Sequence, residues 1–517
     1  MNPPTRSRLF AARLGLGLGA LVATSLHAAT TYTWTGLDTD GTWGTAANWS
    51  PSTAAPGALA TDIARFNTTD LTPAVSLGSA TTIGQLLFAS GASAYTVSGS
   101  GLTISNAGAG APTAATSFIS HTAGNTQTIS APLTLTLTTA ANSFGVNVGS
   151  GGTLAVGALT LSGGTSFSTN LFLLGGGTMN ITGALTSSGF TLNQIQSTAG
   201  STLNIVSGAT LGAGELWAAG GDINLAASHS RTMQFAGAGS KIYLTGAVTT
   251  SGSLRFRPSA STTTTFGANI SGGGTATHSG DVRFSSAGTI ANANFTFDSK
   301  ASNTLVLSGV LLDTNAPGSG THISVTGTGV VRFSGATANT SVTPIVIDGG
   351  TLELAKTAGV NAIAGGSITV QNSGTLKLNA ANQIANTVTM TLDGGTFNTG
   401  GFSETLGALS FSAASTIDLG ASTSALAFAD SSSATWSPSI ILSFINFTAG
   451  TDSVRFGTDG NGLTGTQLSQ IRLNGSLATI DSSGFLAIAI PEPSTYALLA
   501  GAAGLVLCVV QRRRACA

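Results

Sequence analysis

The sequence predicts an all-β protein: a right-handed parallel β-helix solenoid with capping segments, followed by a single C-terminal transmembrane helix. Three observations predict it. Short alternations of apolar and Thr/Ser residues run through the middle of the chain, as in Thr134-Leu135-Thr136-Leu137, Leu159-Thr160-Leu161 and Val388-Thr389-Met390-Thr391-Leu392; this is the period of a strand with one buried face. A phrase of two small residues, Thr and an apolar residue returns at intervals. It reads Gly151-Gly152-Thr153-Leu154, Gly176-Gly177-Thr178-Met179 and Gly200-Ser201-Thr202-Leu203, and then Gly349-Gly350-Thr351-Leu352, Ser373-Gly374-Thr375-Leu376 and Gly394-Gly395-Thr396-Phe397. Long apolar runs occur only at the two ends.

The apolar positions of the phrase stand 25 and 24 residues apart in the first trio and 24 and 21 in the second. Weaker copies lie at Gly221-Asp222-Ile223 and Gly239-Ser240-Lys241-Ile242. A unit of this length carrying strands is one coil of a solenoid, burying its apolar face only against its neighbours. About 400 residues at ~22 per coil give ~18 coils and, at ~4.8 Å between strands, a rod of roughly 85 Å. Gly and Asn suit the corners, where φ turns positive. A series of β-sandwiches is the rival reading; the recurring phrase favours the helix. The regularity is weak between about Ser251 and Val325.

Residues 1–29 read as a signal peptide. Arg6, Arg8 and Arg13 precede a thirteen-residue apolar stretch, Leu14 to Leu26, and cleavage is expected after Ala28 or Ala29. Residues 30–60 form the expected N-terminal cap, with Trp34, Trp43 and Trp49 covering the first coil; a carbohydrate platform is the other role open to clustered tryptophans. Residues 61–452 are the repeat body. Residues 453–490 are the expected C-terminal cap, where Leu463, Leu468 and Ile471 with Thr464 or Thr466 as N-cap predict a short helix. Asp459-Gly460-Asn461-Gly462 reads as a plain turn, because a calcium loop needs more oxygen ligands.

Residues 491–517 form a separate unit: Pro491-Glu492-Pro493, then sixteen apolar or small residues from Thr495 to Val510, then Arg512-Arg513-Arg514. Sixteen residues are slightly short for a bilayer span, and flanking residues or local thinning absorb the mismatch. The arginines belong on the cytoplasmic side.

Charged residues make up only 7% of the chain, with a net charge of −1. Mean hydropathy is +0.34, yet the scattered apolar residues exclude a polytopic membrane protein, and no basic stripe argues for nucleic acid. Without its ends the chain keeps 12 basic and 18 acidic residues, a net of −6; spread singly, they read as solubility. Both cysteines, Cys508 and Cys516, lie in the tail, so the body has neither disulfides nor thiolate metal sites. His121, His229, His278 and His322 are dispersed, and no metal or cofactor site is expected. Asp38 with Asp40 and Asp348 with Glu353 are the closer acid sets, and Arg255 and Arg257 share a strand side. Neither a phosphate-binding Gly-Lys-Ser/Thr loop nor a Gly-x-Ser-x-Gly elbow occurs. These residues argue against an enzyme. A polysaccharide-active β-helix lyase or hydrolase is the alternative, which needs two acids and a base converging on one face.

The tail resembles the PEP-CTERM sorting signal of Gram-negative bacteria in the order of its three parts. The resemblance implies recognition by an exosortase near Pro491-Glu492-Pro493, transient inner-membrane anchoring and export. The stretch Gly327-Thr328-Gly329-Val330-Val331-Arg332-Phe333-Ser334-Gly335 through Ile347-Asp348-Gly349-Gly350-Thr351-Leu352-Glu353-Leu354 resembles the autotransporter-associated β-strand repeat, which implies a passenger-like β-helical body. The chain shows no translocator barrel of amphipathic strands. The expected function is an exported structural or adhesive protein of the cell surface or the extracellular exopolysaccharide matrix of a biofilm. Its expected partners are signal peptidase, the export machinery, an exosortase and exopolysaccharide.

Overall fold

The computed structural model describes residues 29–489, apart from segments 68–72, 107–111, 140–142, 164–168, 189–191, 213, 258–261, 285–291 and 314–315, together with 501–503 and 505–506. The chain is a parallel β-solenoid of about 15 turns. Each turn lays strands on up to three faces. The first face is a 13-stranded sheet, the second a 15-stranded sheet, and the third a 6-stranded sheet resumed further along by a 12-stranded one. The strand pairings are parallel except at the two ends, where Trp34↔Trp49, Leu473↔Ser476 and Thr479↔Ala487 are antiparallel. Parallel pairing between successive coils excludes the sandwich series.

The alternation works as the sequence implies. Leu133, Leu135 and Leu137 are buried while Thr134 and Thr136 stand outside. Inward residues of successive coils stack in register, as in the ladder Leu352, Leu376, Phe397, Ile417, Phe444 and Leu473 on the third face. All six are fully buried, each contributing about 1.5–3 kcal/mol by leaving water.

The recurring phrase begins a strand in every copy, but its two trios lie on different faces. Leu154, Met179 and Leu203 stack on the second face and continue through Ile223 and Ile242, the two weaker copies. Leu352, Leu376 and Phe397 stack on the third. The two small residues serve different needs. Gly176 holds φ at +79°, a conformation costly for other residues. A Cβ on Gly177 would lie 2.3 Å from the carbonyl oxygen of Gly149, so that position requires space. Where Ser201 replaces this second glycine, its hydroxyl accepts the amide of Gly176 in the preceding coil at 3.1 Å.

Coil length varies more than the phrase suggests. On the second face a short coil carries the chain from Leu225 to Leu244, and a long one carries it from Val97 to Ile129. Fifteen rungs span roughly 70 Å at ~4.8 Å each, a shorter rod with fewer coils than the sequence spacing implies. The excess length sits in the corners.

Between the strands Leu311–Asp313 and Glu404–Leu406 the first face narrows to a bend. Buried side chains take the rungs there: Leu311 N donates to Asn339 Oδ1 at 3.0 Å, Lys356 N to Gln383 Oε1 at 2.8 Å, and Gln383 N to Glu404 Oε2 at 2.6 Å. This satisfies amides that leave the backbone ladder inside the core.

Both ends of the stack are covered. Trp34, Trp43 and Trp49 pack on Phe66 of the first full coil, with ring centroids 5.7–6.1 Å from it. All three are buried, so none presents a ring face for a sugar. At the other end Thr464 caps the helix Gly465–Ser469 in a reciprocal pair with Gln467. The strands Ile471–Leu473, Ser476–Ile480 and Leu486–Ile488 then reverse direction, the first turn being made by Asn474-Gly475 with positive φ at both. Among the described residues no helix is long and apolar enough to cross a membrane. Of the expected span Thr495 to Val510, only 501–503 and 505–506 are described, and these are helical.

Candidate functional surface

The outward rungs carry whatever chemistry the rod offers, and the three faces differ. On the second face Asn180, Asn204 and Asn224 form an amide ladder, with Nδ2 to Oδ1 bonds of 2.7 and 2.8 Å. Tyr243 follows, lies across Gly267 and donates its hydroxyl to Asp298 Oδ2 at 2.7 Å. Lys300 pairs with the same carboxylate, and Lys241 lies 3.6 Å from Asp222. Two acids and two bases thus share a face, but they are mutually paired. Burial, the bond to Asp298 and its charge push the Tyr243 hydroxyl far above its ordinary value, so it is no base.

On the third face Arg332, Glu353 and Lys377 stand on consecutive rungs. Arg332 holds Glu353 at 2.7 Å, and Lys377 holds the same carboxylate at 3.3 Å. Burial alone would raise the Glu353 carboxyl; Arg332 and Lys377 hold it below its ordinary range. Asp348, near Glu353 in sequence, lies on the second face and accepts from Asn372 at 2.7 Å. These two acids, close in sequence, do not converge. Asp40 accepts from Thr42 N, Asn48 Nδ2 and Thr45 Oγ1, tying the N-terminal cap together, while Asp38 donates its amide to Asn48.

A hollow of about 350 Å³ lined by Asn386, Thr405, Asp430, Arg455 and Asp459 is where acids, a base and a cavity coincide. Bonds from Ser432 hold Asp430 low, which makes it an ionised carboxylate and not a proton donor. Asp459 accepts from Asn461 N at 2.8 Å, as a turn residue does. The carboxyl poised to donate near neutrality is Glu404, pushed up to about 7 by burial. It points inward beneath the hollow, 1% exposed, while its neighbour Thr405 faces out. A raised acid and a second carboxylate flanking one bond are not assembled.

Three histidines are core rungs. His121 stacks edge-on against Phe88 and His278 against Phe266. His229, Thr250 and His278 follow one another in one ladder. Burial pulls His229 and His278 down to about 4. Among the described residues no group of three or more His, Cys, Asp or Glu is placed to hold a metal ion.

The first face differs from a reading of singly spread charges. Gln196, Trp217, Gln234, Arg255 and Arg283 occupy consecutive rungs in register. Their strand neighbours Leu216, Met233, Phe235, Leu254, Phe256 and Val282 are buried, so the five lie on the outer side of their strands, with Gln234 buried there. Arg231 precedes this face by two residues in its coil and Arg257 follows Phe256. Coiling therefore brings Arg283 beside the sequence neighbours Arg255 and Arg257. The signal was present as spacing: Arg255 and Arg283 are one local coil apart, but that coil is longer than the interval at which the phrase recurs.

Ala29 is exposed and outside any strand. Ala28, Pro491, Glu492, Pro493 and Arg512 to Arg514 lie outside the described residues. No protein-family model, no curated protein and no solved structure matches the chain.

Proposed function

We propose that this chain is an exported structural or adhesive protein of the cell surface or exopolysaccharide matrix. The observation that carries the reading is the rod's exterior: outward rungs of Thr, Ser and Asn bonded coil to coil, such as Thr160 to Thr186 at 3.1 Å and the Asn180–Asn204–Asn224 ladder, a hydrated surface suited to a matrix. In this reading the leader is removed after Ala28 or Ala29, and the coils wind right-handed, as parallel crossovers do. The segment Thr495 to Val510 holds the chain in the inner membrane with Arg512-Arg513-Arg514 inside. An exosortase then acts at the Pro491-Glu492-Pro493 sorting signal.

Intact mass and C-terminal peptide mapping of the protein from its host, beside an exosortase-deficient strain, test it. Loss of the residues after Pro493 only where the processing enzyme is present is the expected result; a tail retained in both strains overturns the sorting step. The second reading, a polysaccharide-active β-helix enzyme, draws on the Arg455 hollow. It requires that Asp459→Asn abolish a measurable depolymerisation that the wild type performs.

A further inference from the structure

We propose that Trp217, Gln234, Arg255 and Arg283 form a track that binds an acidic polysaccharide lying along the rod axis. The four stand on consecutive rungs of the first face, ~4.8 Å apart, close to the length of one pyranose unit. A glycan laid along the axis meets successive rungs in phase.

The chemistry of each rung fits one part of such a chain. The partly exposed indole of Trp217 offers an apolar plane to the C–H face of a sugar. Arg255 has no ion-pair partner among the described residues, and its planar fork matches a carboxylate. Arg283 is held at one end by Asp281 at 3.1 Å, yet its buried Nε has no hydrogen-bond partner. Gln234 lies between Trp217 and Arg255, is 2% exposed, and its Oε1 is likewise unpartnered. Unpaired buried polar atoms destabilise the free protein; turning the Gln234 amide and the Arg283 side chain toward the glycan lets a hydroxyl and a carboxylate satisfy both.

Charge selects the class of glycan. Arg255, Arg257 and Arg283 lie here against Glu215 and Asp281, on a body whose net charge is otherwise negative. A neutral glycan leaves the guanidinium groups unpaired, whereas a uronate polymer supplies a carboxylate on each unit. The track rests on the matrix reading only for where the polymer is met.

The test is binding of the full chain to polygalacturonate, alginate and hyaluronate near physiological salt. Methyl-esterified polygalacturonate and polyacrylate serve as controls. At least one acidic polysaccharide binds, and esterification removes binding to polygalacturonate if that is the polymer bound. Arg255→Gln and Trp217→Ala each weaken binding at least tenfold, while Lys377→Gln on the third face leaves it unchanged. Binding to none of the three overturns the track. So does equal affinity for polyacrylate, which has no sugar ring, or wild-type affinity in Arg255→Gln. That last variant changes an outward side chain at constant backbone, so it keeps the test decisive if Trp217→Ala misfolds. Tail processing is read separately by mass: a processed tail without binding removes the track alone, and binding with a retained tail removes the sorting step alone.

Discussion

Two stretches of the rod solve the same packing problem with different means. In the middle, from Leu254 to Val325, the phrase is irregular, though Gly273-Gly274-Thr275-Ala276 keeps it, and the coils are long, one running from Phe266 to Phe297 and the next from Phe297 to Val325. The core there is aromatic, with Phe256 stacked on Phe284 at 5.4 Å and Phe284 packed on Phe295 at 5.1 Å, and Phe235 of the preceding coil stacks on Phe256 at 4.6 Å. From Val331 to Ile417 the phrase recurs and the coils are shorter and more even, placing their rungs at Val331, Leu352, Leu376, Phe397 and Ile417. The core of this stretch is mainly aliphatic. Both stretches keep their ladders in register. Inward alternation therefore sets the coil, and repeat length is a matter of the corners.

Four changes separate the behaviour of the two stretches, beginning with the largest effect. Phe256→Ala removes the central ring of the aromatic stack and costs about 3–5 kcal/mol. Local amide exchange reports the loss between 233 and 297 while 351–397 stays protected, as expected if stability is summed along a stack. Equal deprotection of both stretches would show one cooperative unit instead.

Acidity separates the stretches next. Buried His229 and His278 titrate near 4 against an ordinary 6.5, so their contribution is present above 6.5 and is lost as pH falls through about 4. Glu404 titrates near 7 against an ordinary 4.5, so its contribution is complete below 4.5 and is lost as pH rises through about 7. Each is worth on the order of 3 kcal/mol. Lowering the pH from 6.5 to 4.5 therefore weakens the coils around His278 and strengthens those around Glu404. Exchange rates corrected for intrinsic pH dependence check the sign, and parallel shifts would refute it.

A smaller effect tests the phrase itself. A Cβ on Gly374 would stand 2.6 Å from the carbonyl oxygen of Ile347, so Gly374→Ala costs roughly 1–3 kcal/mol, read as a lower urea midpoint. The converse change is the mildest. Ser373 holds φ at +64°, and Ser373→Gly relieves that strain by up to about 1 kcal/mol, raising the midpoint.

Much of the fold was legible in the residues because it is written locally. Alternation gave inward and outward rungs, and Thr464 with its leucines marked the helix Gly465–Ser469. Less was legible where neighbours in space are a coil apart. The phrase could not reveal that its two trios belong to different faces. A long coil hid the pairing of Arg255 with Arg283, and a corner separated Asp348 from Glu353. Glu404 looked like an isolated surface acid because nothing in sequence announces that Gln383 and Ile384 donate their amides to it.

The stacking has a mechanical corollary. Hydrogen bonds run across strands, and the strands here run across the rod, so the bonds lie along its length. Tension drawn between the two ends loads the coils in series, and the weakest coil sets the yield point. A coil of about 24 residues that opens releases about 80 Å of slack, longer than the whole folded rod. A chain held at one end and gripped at the other would lengthen stepwise, as a shock absorber, before it broke.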